Sequence, residues 1–415
     1  MGSSIRQDGE YIIYGMFSSY FTKKLEAYFL AKGIAYRYVE MDAPSFVQVG
    51  EKVGVVQLPQ VQCPDGSWLT DTTLIMEHFE QDKSLPALQP EQPLAAFLSE
   101  FLEDCFDEWL WTPALYYRWA FKMDRLRRSE EFTYSIGANG LYLPRFLNRL
   151  FLIWRQLQVH IKNNGVVSKA HARNVEEFYL QLLDMLQPIF EKRPFLFGER
   201  PCAADFGLFG PMFPHFSCDP TPQEIMHVRA PHVFRWIARL WSTRPAEVSA
   251  AAEIKEMPED LQPLLAKMAG EYLPYLVENQ KAFSRDDKST SYALGGLQWQ
   301  VKTAPYRVYC LAQLQTKFQR LSVADQAACE SLLGRQAISI LTAQPQYPAG
   351  MEQITASQPL KGDDKQLLTR LWQDDNTPVE KLFENRLKRR PSKAAVEIKR
   401  QGTSWLPHYF RRYRA

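Results

Sequence analysis

Cysteine is scarce and dispersed in this chain. Cys63, Cys105, Cys202, Cys218, Cys310 and Cys329 stand singly, with no C-x-x-C pair and no dense framework. That spacing excludes a disulfide scaffold or a thiolate metal site, so the thiols are expected to be reduced, small apolar residues. Histidine is also thin: His78, His160, His171, His215, His227, His232 and His408 form no H-x-x-x-H or similar pattern, so no metal is expected. No stretch approaches the roughly 18 uninterrupted apolar residues of a membrane span, and Met1 to Glu10 is polar where a signal core would be apolar. A cytoplasmic location is the expectation. Net charge is +2 and hydrophobic residues make up 46%, which excludes wholesale disorder and a protein that binds polyanions over its whole surface.

What is present suffices for several cores. For 415 residues, about one domain per 100 to 200 residues gives two or three. Tyr11 to Tyr14 is a β-type run closed by Gly15, and Leu25, Tyr28 and Phe29 recur at helical spacing within Lys23 to Lys32, before Gly33. Ile34 to Met41 alternates as a second strand. Val55 to Val61, the turn Pro64-Asp65-Gly66 and Trp68-Leu69 predict an antiparallel pair, and Thr72 to Phe79 predicts a closing helix. The pattern is an α/β unit over residues 1–83.

Ser84 to Pro93 holds three prolines in ten residues and reads as the linker, residues 84–93. Beyond it Leu94, Phe97, Leu98, Phe101, Leu102, Cys105, Trp109 and Leu110 recur at three and four residues, a long amphipathic helix. Similar patterns over His171 to Leu186, Ala203 to Met212 and Val233 to Trp241 predict an all-α domain over 94–250. A mainly helical extension over 251–345 is expected from Leu264 to Phe283, with a kink at Pro274, and from Ala304 to Leu321 and Ala324 to Ile340. Residues 346–415 are expected to form a poorly defined helical segment and a basic tail. Arg386 to Ala415 contains ten Lys or Arg against Glu397 alone, so the tail is +9 and the remainder −7.

The order β-α-β then β-β-α, with a proline opening the third strand, is a thioredoxin-like arrangement. Tyr14 to Tyr36, YGMFSSYFTKKLEAYFLAKGIAY, resembles the opening of glutathione transferases. Leu58-Pro59-Gln60-Val61 resembles the family's V-P-x-L segment, and Asp71-Thr72 its acidic-plus-hydroxyl pair. PFLFGERPCAADFGLFGP resembles the helical-domain signature, with Cys202 where a capping Ser or Thr is expected and Asp205 structural. The resemblance runs over about residues 10 to 245 and, to about residue 340, extends to a long bacterial subgroup.

The resemblance implies a cis Pro59, with Leu58 offering its backbone to the cysteinyl part of glutathione. Asp71 and Thr72 would hold the γ-glutamyl end, the carboxylate of Asp71 pairing with the ligand's amine. Ser19 would donate to the glutathione sulfur, with Ser18 next in line and Tyr14 and Tyr20 as substitutes. A thiol of pKa about 8.5 is mostly protonated at pH 7, and a hydroxyl donor plus the positive end of a helix lowers it. Phe17, Tyr20, Trp111, Tyr116, Tyr117 and Trp119 would line a pocket for an apolar electrophile. The implied protein is a glutathione transferase in detoxification, working as a homodimer with glutathione as co-substrate. The alternative is a non-catalytic interaction protein on the same fold, with the basic tail available to nucleic acid or an anionic membrane.

Overall fold

Along Tyr11–Gly15 buried and half-exposed side chains alternate, as a strand covered on one face requires. This strand, β1, pairs in parallel with β2 (Tyr36–Glu40) and antiparallel with β3 (Gln60–Gln62), which pairs with β4 (Trp68–Thr70). The sheet order is β2-β1-β3-β4. Helices α1 (Tyr20–Lys32), α2 (Ala43–Val53) and α3 (Thr72–Glu80) complete the thioredoxin-like unit. The computed structural model describes residues 9–54, 57–135, 145–349 and 351.

Three local features differ from the sequence reading. Helix α1 begins three residues before Lys23, because Ser19 caps it. Helix α2, which the strand-oriented reading passed over, is capped by Asp42, whose carboxylate accepts the Ser45 N–H at 3.0 Å, and stops at Gly54. The expected strand from Val55 begins only at Gln60, and residues 55–56 lie outside the described set.

The helical domain comprises α4 (Pro93–Trp109), α5 (Trp111–Ala120), α6 (Lys122–Ser135), α7 (Arg145–Gln156), α8 (Lys169–Lys192), α9 (Ala203–Pro211), α10 (Pro220–Arg229), α11 (Pro231–Ser242) and α12 (Pro245–Ala250). Helices α4 and α9 meet closely because Gly207 has no side chain: a Cβ there would sit 2.8 Å from the Glu103 Cα. The α9 cap lacking Ser or Thr is rebuilt around Asp205. Its carboxylate accepts the N–H groups of Leu196 (2.9 Å) and Cys202 (3.1 Å) and the Trp236 indole N–H (3.2 Å).

The extension is α13 (Gln262–Ser284), β5 (Ser289–Leu294), β6 (Leu297–Lys302), α14 (Pro305–Gln319), α15 (Val323–Leu333) and α16 (Arg335–Leu341). The hairpin β5–β6 interrupts this mainly helical region. Gly295 and Gly296, at φ 59 and 73, form its two-residue turn, a conformation that favours glycine. The expected single helix over Ala324 to Ile340 is split at Gly334. One apolar core runs through all three parts and includes Phe29, Phe101, Leu265 and Phe318. Phe97 and Phe318 pack with ring centroids 5.7 Å apart, and Lys317 reaches Glu77 at 2.5 Å and Glu100 at 3.0 Å. Among the described residues no helix is long and apolar enough to cross a membrane. The basic tail lies outside the described residues.

Candidate functional site

A cavity of about 600 Å³ opens where the α/β unit, α4–α5 and the extension meet. That is the size of a small-molecule site. Ser18, Ser19, Tyr20, Leu58, Pro59, Asp71, Thr72 and Trp111 all line it. Phe17 and Tyr116 do not. Phe17 is 45% exposed and lies under the Lys23 ammonium, while the Tyr116 hydroxyl donates to Glu176 at 2.6 Å.

Each lining group is set by its local chain. The Leu58–Pro59 peptide is cis, immediately before β3. Ser19 is the N-cap of α1, its Oγ accepting the Thr22 N–H at 3.3 Å, and its proton has no acceptor among the described residues. Ser18 is buried, and its carbonyl accepts from Arg118 at 2.9 Å. The Tyr20 hydroxyl donates to the Phe106 carbonyl, and burial, reinforced by Asp107, holds the phenol well above its ordinary pKa. Tyr14 donates to Gln62 Oε1 at 3.3 Å and does not line the cavity. Of the four side chains weighed for thiol activation, Ser18 and Ser19 both line the cavity with a hydroxyl proton that has no acceptor among the described residues, and of these two Ser19 is the one at the helix N-cap.

Asp71 is the N-cap of α3 at φ 71, a left-handed conformation uncommon for a residue with a Cβ. Its Oδ1 accepts the N–H groups of Thr73 (3.0 Å) and Leu74 (3.3 Å), while Oδ2 accepts the Tyr306 hydroxyl at 2.9 Å. Burial raises its pKa to about 6, although the Tyr306 and Leu74 donors pull the other way.

Residues 13–87 match the family model described as "Glutathione S-transferase, N-terminal domain". Over these residues the chain is similar to the N-terminal domain of glutathione S-transferases. No curated protein matches the chain. Among solved structures, a GST-like protein from Pseudomonas syringae aligns at 18% identity and TM-score 0.38, over 60% of this chain and 77% of its own. A beta-etherase from a Sphingobium species aligns at 17% and 0.40, over 58% and 98%. The Tau class glutathione S-transferase of mango aligns at 15% and 0.37, over 63% and 97%. Values this low carry nothing about activity.

The α/β unit supplies one wall of the cavity; the opposite wall comes from elements that sequence reasoning did not connect to it. Val301 to Arg307, at the β6–α14 junction, line it. This segment is fastened by buried Asn279, whose Nδ2 donates to the Ala304 carbonyl at 2.8 Å and whose Oδ1 accepts the Ala304 N–H at 2.9 Å. Arg307 pairs with Glu108 at 2.9 Å. Phe21 and Trp111 stack with centroids 6.0 Å apart and provide an apolar floor. His160, against Trp111, is pushed down to about 3 by burial and by Arg155 and Arg118, so it is neutral at ordinary pH. Arg118 is buried and ion-paired with Asp219 at 2.9 Å, and Arg128 pairs with the same carboxylate. Burial lowers the Arg118 pKa to about 10 despite Asp219, so it remains charged. None of these partners is close in sequence, and no local motif announces them. Among the described residues no His, Cys, Asp and Glu gather as a metal site.

Proposed function

We propose that the cavity binds glutathione and that the protein is a glutathione transferase acting on an apolar electrophile. In this reading the γ-glutamyl end lies at Asp71 and Thr72, the ligand backbone pairs with Leu58 beside Pro59, and Ser19 donates to the sulfur. The observation that carries it is the unused Ser19 proton at the positive end of α1, in the same cavity as Leu58-Pro59 and Asp71-Thr72. A thiol moved from pKa about 8.5 to near 6.5 gains about 2.7 kcal/mol for its ionised form, and the helix end and one hydroxyl donor each contribute part of that. The stacked Phe21 and Trp111 offer an apolar surface on which an electrophile can be held near the sulfur. Detoxification, a cytoplasmic location and a homodimer belong to this proposal.

Isothermal titration with glutathione is the first test. Asp71→Ala is expected to weaken binding roughly ten- to hundredfold, by loss of a charge-assisted pair worth about 1.5 to 3 kcal/mol. Ser19→Ala is expected to leave binding nearly unchanged while raising the pKa of the bound thiol, read from its ultraviolet absorbance, and slowing single-turnover conjugation about tenfold. Unchanged affinity in a folded Asp71→Ala protein removes the binding site from this reading.

One observation favours a second reading, a non-catalytic protein on the same fold: Asp71 already has a donor on each oxygen, one of them supplied by the extension. Retention on immobilised glutathione without turnover of any aryl or alkyl halide tried would favour it.

A further inference from the structure

Helix α7 is amphipathic with its faces reversed. Asn148 and Gln156 are buried, Arg149 donates to Ser129 Oγ at 2.9 Å and to the Leu126 carbonyl, and Arg155 lines the cavity. The apolar residues Phe146, Leu147, Leu150, Phe151 and Trp154 recur at helical spacing and form one stripe open to solvent. Phe146 is 64%, Leu150 60% and Trp154 58% exposed. Met123 on the adjoining helix α6 is exposed as well. The stripe amounts to on the order of 500 Å² of apolar side chain, a size at which a surface patch marks a contact.

The charge of this hairpin indicates what covers it. Lys122 to Gln156 carries seven Lys or Arg against three Asp or Glu, whereas the rest of the chain ahead of Arg386 carries 32 against 43. Lys122 and Arg127 are exposed. A basic, aromatic and leucine-rich helix on an otherwise acidic body matches the composition of helices that lie in the headgroup region of a bilayer. At 12 residues α7 is far short of the roughly 20 needed to span one.

We propose that α7 lies flat on an anionic phospholipid surface, with Phe146, Leu150, Phe151 and Trp154 among the upper acyl chains and the exposed Lys122 and Arg127 of α6 at the headgroups. A second copy of this chain fits the stripe less well, because self-pairing brings the exposed Lys122 and Arg127 of one copy toward those of the other, whereas anionic lipid complements them.

The test is co-sedimentation of the full chain with phosphatidylcholine vesicles and with vesicles containing about 30% phosphatidylserine. The parent binds the anionic vesicles, binds phosphatidylcholine weakly, and is released as salt rises. Leu150→Ser with Trp154→Ser weakens binding about ten- to hundredfold with an unchanged circular dichroism spectrum. Phe146→Ser, at the other end of the stripe, weakens it in the same direction should the double variant fail to fold. Lys122→Glu with Arg127→Glu weakens it and flattens the salt dependence. Three results overturn the proposal: a parent that ignores anionic vesicles, binding that the folded Ser variants leave unchanged, or a dimer in light scattering that the same Ser variants dissociate.

Discussion

At the start of α1 a serine hydroxyl caps the helix through one long contact and keeps its own proton. At the start of α3 an aspartate caps through two backbone N–H groups and gives its other oxygen to Tyr306. Both side chains face one cavity and both do the same local work, satisfying N–H groups that a helix leaves without partners. What differs is what remains for a ligand. Ser19 has a donor left over. Asp71 has an acceptor shared with a helix more than two hundred residues away, and a pKa that burial has moved to about 6. A cap is therefore also a functional group whose spare capacity is set by its tertiary neighbours.

The largest expected effect breaks the support of the first cap. Arg118 donates to the Ser18 carbonyl and, with Arg128, depends on buried Asp219 for neutralisation. Asp219→Asn leaves two buried guanidinium groups facing an uncharged amide, and chemical denaturation should record a loss of about 3 to 5 kcal/mol. A loss below about 1 kcal/mol would mean that water or another carboxylate replaces the pair.

A smaller effect concerns the second cap. If the ligand's amine pairs with ionised Asp71, glutathione affinity rises as pH passes upward through about 6. Calorimetry should find it about tenfold weaker at pH 5 than at pH 7, and Asp71→Asn should be weak and flat across the range. Folding carries the opposite sign. A carboxyl whose folded pKa lies above its unfolded value contributes stability that is complete below about pH 4 and lost as pH rises through about 6.

The smallest effect compares the caps directly. Tyr306→Phe removes a donor that favours ionised Asp71, so the pH midpoint of binding moves upward. Affinity below pH 6 should fall roughly two- to tenfold, while binding at pH 8 changes little. A gain in affinity would instead show that the Tyr306 hydroxyl competes with the ligand.

Much of the α/β unit was legible because its signals are local. The alternation at Tyr11 to Tyr14, the glycine stop at Gly33 and the proline before β3 each act within a few residues. The missed helix α2 carried equally local signals, Asp42 at its start and Gly54 at its end, and the paired glycines at 295 and 296 marked the missed hairpin. Phe17, read as a pocket residue beside Ser18, lies in the turn before α1 and packs against Lys23 and Phe213 instead.

By itself the sequence determined the thioredoxin-like order, the helical domain, and which residues at the ends of strands and helices have the chemistry to hold a small ligand. Those properties follow from periodicity, capping and turn preference, which act over spans of about one to four residues. Only the tertiary structure decided that Tyr306, 235 positions beyond Asp71, shares its carboxylate, that Asn279 fastens the far wall of the cavity, and that α7 turns its apolar face to solvent. Such pairings depend on how whole helices pack against a common core, and no run of neighbouring residues encodes the distance between two that are far apart along the chain.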